Sequence, residues 1–177
     1  GRPPNNVNPN QLKAALFDEP VREQLFSEVY AAFREMMLAS EREAAISAFI
    51  EKLKDIDEKS LTLIAQQAYA ASGGVGELPA EWAGIAAQFV NSFASGFEQA
   101  LLGAVAQGES LEKFLYRAML YPQEGYKMAV INGQSYAMRE RGASHWRRVL
   151  HPELTKTGPC EFCIADSLII HAIEEPF

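Results

Sequence analysis

The chain is short of cysteine, of positive charge and of long apolar runs. Its 177 residues include two cysteines, Cys160 and Cys163. Two are too few for the disulfide framework that stabilises small secreted domains. Lys and Arg number 16 against 23 Asp and Glu, for a net charge of −7. That balance argues against a broad, non-specific grip on nucleic acid, whose phosphates demand basic surface. No apolar run approaches the ~20 residues of a membrane span. No charged segment followed by an apolar one opens the chain as a secretory signal would. No P-loop, G-x-G-x-x-G, H-E-x-x-H or EF-hand loop is present, so the common phosphate, dinucleotide, zinc-protease and calcium signatures are excluded. Strand-type alternation of useful length is missing before residue 145.

Helical patterning fills the space those absences leave. Hydrophobic residues make up 48% and charged residues 22%, an ordinary globular balance. The length suits one domain with a core, or one domain plus a small appendage. Residues 1–10 are rich in Pro and Asn and read as a flexible arm. From Pro20, apolar residues recur at steps of three and four: Val21, Leu25, Val29, Phe33 and Met36, then Ile46, Phe49, Ile50 and Leu53. This is the period of a helix with one buried face. Whether 20–55 is one helix or two broken near Ala39-Ser40 stays open. Asp55 or Asp57 is expected to N-cap the next helix, which carries Leu61, Ile64, Ala68 and Tyr69. Ser72-Gly73-Gly74-Val75-Gly76 should stop it.

Pro79 and Glu81 open a long helix bearing Trp82, Ile85, Phe89, Phe93 and Phe97, which should end near Gly108. Such an aromatic stripe is far more often core than a cofactor pocket. Trp82, Phe89, Phe93, Phe114 and Tyr126 are therefore expected to be buried. Ser110 should cap a helix broken at Tyr121-Pro122, and a last helix should run from Gln123 to Arg139. Gly84, Gly96, Gly103, Gly125 and Gly133 weaken these helices, so some should mark close packing. The acid pairs Asp55/Asp57 and Glu174-Glu175 read as solvated surface. The fold class is mainly α: an elongated helical body over 11–140, then a small C-terminal element over 141–177.

That element holds the chemistry. All three histidines, His145, His151 and His171, lie near the C-x-x-C pair. The segments Trp146–Leu150 and Ser167–Ile173 read as short strands flanking it, as in a hairpin or zinc ribbon. Tetrahedral zinc needs four ligands, so Cys160 and Cys163 are half a site. His151-x8-Cys160-x2-Cys163-x7-His171 supplies four by count, but the histidines straddle the pair instead of following it. Two reduced cysteines in a hairpin with surface histidines fit equally well. Cys163, His171 and Asp166 could be drafted as nucleophile, base and orienting acid. No oxyanion loop or catalytic signature accompanies them. A redox C-x-x-C would sit in a βαβ pattern, which is missing here. No enzymatic activity is expected. The one basic cluster is Arg139, Arg141, Arg147 and Arg148, with Lys127 upstream. It is a solvated helix end or a local contact for nucleic acid.

The order of elements carries a resemblance. A helical body ends near Arg139-Glu140-Arg141-Gly142. Trp146-Arg147-Arg148-Val149 follows, then Pro159-Cys160-Glu161-Phe162-Cys163, then Asp166-Ser167-Leu168. From about Tyr126 to Phe177 this resembles the Mu F-like head-morphogenesis family, the minor head proteins of tailed bacteriophages. The resemblance implies a virion structural protein, present in several copies beside the portal inside the capsid. It would assist head assembly, DNA packaging or ejection, after assembly in the host cytoplasm. Its implied partners are the portal protein, the major capsid protein and packaged DNA near the arginine cluster, with no membrane. It also implies a structural zinc on Cys160 and Cys163. The remaining His/Cys donors of the family would fall beyond Phe177, so the element reads as truncated. The start at Gly1-Arg2-Pro3-Pro4 likewise reads as a processed or partial product. The alternatives are a toxin or enzyme module delivered with the virion, or a cellular helical adaptor with a zinc ribbon.

Overall fold

The structure, a computed structural model, describes residues 7–147, 150, 158 and 160–172, without the side chains of Pro122, Gln123, Trp146, Phe162 and Cys163. The described residues form α1 (Pro9–Leu16), α2 (Glu19–Leu38), α3 (Arg42–Ala71), α4 (Glu81–Ala106), α5 (Glu112–Glu124), α6 (Tyr126–Glu140), β1 (His145–Trp146), α7 (Glu161–Ser167) and β2 (His171–Ala172). The body is all helix, as its 3.6-residue period requires. Its two short strands form one antiparallel pair, C-terminal to the body.

The ends of the helices follow local chemistry. The expected arm is cut short by a cap: Asn8 accepts from the amides of Asn10 and Gln11 at 2.9 and 3.2 Å. Pro9 then enters the first turn, where a missing N–H costs nothing. Residues 1–6 lie outside the described residues. Asp18 caps α2 through the amide of Val21 at 3.2 Å. Ala39 turns extended and ends α2, and Arg42 donates to the Met37 carbonyl at 3.1 Å. The open question over 20–55 is thus settled as two helices. At the end of α3, Gly73 adopts φ 92° and the Gly74 amide reaches back to the Tyr69 carbonyl at 2.8 Å. That left-handed cap suits glycine because no Cβ obstructs it.

Helix α3 is the spine. Its 30 residues span ~45 Å at ~1.5 Å per residue, and α1, α2, α4, α5 and α6 all pack on it. The core has two parts along it. One gathers Phe33, Phe49, Leu53, Phe97 and Phe114 between α2, α4 and α5. The other gathers Phe17, Ile64, Tyr69, Trp82 and Val130 between α1, α4 and α6. Phe93 packs against both. Trp82 and Phe114 are buried as expected, whereas Phe89, Phe93 and Tyr126 are half-buried. The Phe93 ring stacks on Tyr121 at 4.6 Å between centroids, and Phe97 meets the same ring edge-on at 5.1 Å.

Three expectations fail, each for a tertiary reason. Neither Asp55 nor Asp57 caps a helix, because α3 runs unbroken through both. Asp55 is solvated and pairs with Lys59 at 2.8 Å. Asp57 is 0% exposed, and both carboxyl oxygens lack a hydrogen-bond partner. Burial first, then the charges of Glu124 and Glu58, push its pKa up from 3.8 to about 8. Pro122 does not break its helix either. It lies inside α5, held by the packing of Tyr121, and withholds the N–H that the Ala118 carbonyl would take.

The glycines separate into two kinds. A Cβ on Gly133 would strike the Ala65 carbonyl oxygen and stand 3.0 Å from the Ala68 Cβ. A Cβ on Gly125 would lie 2.6 Å from the Phe89 ring and 2.8 Å from Leu61. Gly84, Gly96 and Gly103 would meet nothing.

We expect Gly133→Ala to cost about 1–3 kcal/mol by forcing α6 off α3. Gly96→Ala should instead stabilise by about 0.5–1 kcal/mol through helix propensity. Thermal denaturation of the two variants would test this opposite ordering. Asp57 generates a second expectation. Its acid keeps its proton in the folded chain up to about 8 and loses it above 3.8 once unfolded. Folding therefore takes up a proton between those values. The contribution is fully present below 3.8, is lost as pH rises toward about 8, and then levels off. The slope is at most ~1.4 kcal/mol per pH unit. Denaturant titrations should show this fall in the wild type and a flatter profile in Asp57→Asn.

Candidate functional site

The residues that suggested chemistry converge in the C-terminal element. Helix α6 ends where Gly142 takes φ 89°, and β1 begins three residues later. The strands pair antiparallel, with His145 opposite Ala172 and Trp146 opposite His171. So the two expected strand segments do meet, the second over two residues and the first through Trp146 alone, with His145 ahead of it. Arg148 and Val149 lie outside the described residues. Between the strands the cysteines depart from expectation. They do not sit on a turn between extended arms. Cys160 directly precedes α7, its carbonyl accepting from the Ile164 amide at 3.0 Å, and Cys163 lies within α7.

Asp166 and His171 meet across this element. His171 Nε2 and Asp166 Oδ1 are 2.9 Å apart, and both side chains are largely buried. The contact joins the end of α7 to β2. It also commits Nε2. Carboxylates commonly hold ligating histidines in this manner. Cys160 is exposed. His151 lies outside the described residues, as does the Cys163 side chain. Among the described residues no group of three His, Cys, Asp or Glu side chains is placed to hold a metal ion. The drafted acid and base do meet, in Asp166 and His171.

The basic cluster is partly absorbed by the fold. Arg139 bridges to Glu81 at 2.7 Å, tying α6 to the start of α4. Arg141 donates to the Ser72 carbonyl at 3.1 Å, tying α6 to the end of α3. Lys127 lies 5.8 Å from the centroid of the Tyr126 ring. Arg147 is exposed, and Arg148 is outside the described residues. A cation that neutralises a neighbouring carboxylate is less available to phosphate.

Two surfaces were not read from sequence. Ile164, Leu168, Ile169 and Ile170 are all exposed, Leu168 by 83% and Ile170 by 70%. Of these, Leu168–Ile170 fall in the segment expected as a strand, whose alternate residues would be covered. A groove of about 410 Å³ opens between α2 and α3, lined by Phe17, Val21, Leu25, Ile56 and Leu63 among others. Spacing could have revealed the groove, since Ile56 and Leu63 fall off the main buried face of α3. No helix among the described residues is long and apolar enough to cross a membrane. No protein-family model, curated protein or solved structure matches the chain.

The Asp166–His171 contact should hold the strand pair closed. Asp166→Ala should speed amide exchange at His171 and Ala172 by roughly tenfold or more, since a charged hydrogen bond is worth ~1.5–3 kcal/mol. Asp166→Asn, which keeps an acceptor, should recover part of the protection. Unchanged exchange in both variants would show that the strands close without the contact.

Proposed function

We propose that this chain is a minor head protein of a tailed bacteriophage, a structural component of the virion. One observation carries the reading: the order of elements in the last third of the chain. A helical body ends at Arg141-Gly142. A strand bearing Trp146 follows and pairs with the strand bearing His171, and the C-x-x-C pair lies at the start of the short helix between them. The Trp-Arg-Arg-Val segment and the cysteines are the residues that resemble the Mu F-like family. The exposed run Leu168–Ile170 supports an assembly role, because contiguous exposed apolar residues mark surfaces that another surface covers.

In this reading the protein works as a scaffold and not as an enzyme. The helical body docks against the portal protein or the major capsid protein, in several copies, within the capsid. Assembly takes place in the host cytoplasm. Arg139 and Arg141 serve the fold, so contact with packaged DNA falls to Arg147 and Arg148. Zinc would be structural, cross-linking the short element through the Cys160 and Cys163 thiolates. The donors suit it, since thiolate and imidazole are zinc's preferred ligands. Asp166 would orient the His171 ring if that histidine takes part. A metal would stabilise an element whose paired strands are two residues long.

The proposal predicts a complex with the portal protein encoded beside it. Native mass spectrometry of the two co-expressed proteins, with and without chelator, should show this chain bound to the portal ring. Failure to associate with portal or capsid protein would overturn the reading. The metal is tested separately by zinc content. Cys160→Ser combined with Cys163→Ser should lose about one zinc per chain, as removal of half a tetrahedral ligand set implies. Equal zinc in both proteins would remove the metal and leave the assembly reading to the portal experiment.

A further inference from the structure

We propose that Asp57 is a proton-operated latch: its neutral acid lets α5 lie closed on α3, and loss of the proton releases α5 while α3 and α6 stay together. The geometry comes first. Asp57 lies on the buried side of α3, between Leu53 of one core cluster and Leu61 of the other. Its carboxyl is fully buried and has no hydrogen-bond partner on either oxygen. A buried polar group in that state is costly when neutral and far more costly when charged.

The surrounding groups select which helix moves. From α3 itself the neighbouring charge is Glu58, and from α5 it is Glu124. Tyr121 of α5 feels Asp57, with Arg117 and Glu124 also acting on that ring. Helix α4 brings the apolar rings of Phe93 and Phe97 to Tyr121, and its charged residues are Glu81 and Glu98. Glu98 accepts from the Ser47 hydroxyl at 3.2 Å and Glu81 pairs with Arg139. On α2, Glu28 shares the groove with Lys59. Near the start of α6, Lys127 lies over the Tyr126 ring. An ionised Asp57 therefore has two carboxylates acting on it and no hydrogen-bond donor.

Moving α5 relieves both penalties together. It admits water to Asp57 and carries Glu124 away. Helix α5 is also a short element of the body. It has 13 residues, and Pro122 leaves the Ala118 carbonyl without its helical donor. Gly125 follows directly as a joint. Helix α6 is held to α3 independently, at Gly133. Release would uncover Phe114, Ala118 and Tyr121 on a helix whose outer side already exposes Tyr116 and Leu120. The latch would then control access to an apolar helix, whatever partner the chain serves.

Amide exchange of the whole chain, read by mass spectrometry at about pH 6 and about pH 9 and corrected for intrinsic rates, tests the latch. Opening sheds one proton below the folded pKa, so it should become about tenfold easier per pH unit and level off above it. Protection across Phe114–Tyr121 should fall on the order of a hundredfold in the wild type. Segments around Ala65 and Gly133, limited by global unfolding, should stay far better protected than α5 at both pH values. Asp57→Asn should show no such fall, and Asp57→Leu serves if the Asn variant does not fold. Glu124→Gln, an exposed change, should make the fall level off at lower pH. Protection in α5 no lower than in α3 and α6 at either pH would show that α5 opens only when the whole chain unfolds, and would overturn the latch. Persistence of the α5 loss in both Asp57 variants would overturn it as well.

Discussion

The close approach of α6 to α3 at Gly133 governs the arrangement of the body. Two helices can touch backbone to backbone only where side chains are absent or small. Here Gly133 faces the Ala65 carbonyl and the Ala68 Cβ, and Ala129 and Ala137 are buried a turn either side. That seam fixes how deep α6 sits. Depth in turn sets the reach of the polar ties at its C-terminal end. Tyr69 donates its hydroxyl proton to Glu140 at 2.6 Å, Arg139 reaches Glu81 and Arg141 reaches Ser72. The Glu140 hydrogen bond, with burial, raises the Tyr69 pKa and keeps that proton in place. Together these contacts hold the ends of α3 and α6 and the start of α4. The loop between α3 and α4 is pinned separately by Gln66, which donates to the Gly76 carbonyl at 3.0 Å and accepts from the Leu78 amide at 3.1 Å.

The other half of the body is assembled on different terms. Around α5 the contacts are aromatic and the packing is by side chains. Phe93, Phe97, Phe114 and Tyr121 interlock at centroid distances of 4.6 to 5.8 Å. Such contacts contribute through area and ring geometry, without a backbone seam. A single buried carboxyl at this junction therefore weighs more than it would beside α6. An apolar residue of similar volume in place of Asp57 would remove the burial penalty entirely. Retaining an acid there makes sense if the strength of the α3–α5 contact is meant to vary.

Much of the body was legible from sequence because periodicity and caps are local. Pro20 in a first turn, the Gly73-Gly74 stop and the Gly142 stop all act through their own backbone. Tertiary context decided the rest. Gly96 and Gly133 are the same residue in similar helices, and only the opposing surface separates an open position from a required one. Asp55 and Asp57 are two residues apart with identical chemistry. One is solvated and the other buried, because α3 continues through both and α5 crosses one side. Pro122 was read as a stop because the packing that holds its turn together is not local. In the C-terminal element, α7 is seven residues long, too few for a period to declare itself. The contact between Asp166 and His171 was foreshadowed only as a drafted pair of residue types.

The described part of the C-terminal element has little regular structure to hold it. Two residue pairs of sheet are far below what stands alone in water. Helix α7 is shorter than an isolated helix can sustain. Among its described residues Asp166 is the one buried charged group and contacts His171, while Ile164, Leu168, Ile169 and Ile170 face outward. A self-contained domain would place those residues inside and the acid outside. The inversion accords with the proposed assembly role, and the Asp–His contact ties the end of α7 to β2. A body closed by hydrophobic burial carrying a tip closed by a few polar contacts suits a protein that folds first and is then built into a larger assembly. That is the physical sense in which the helical body and the cysteine-bearing tip belong to one reading.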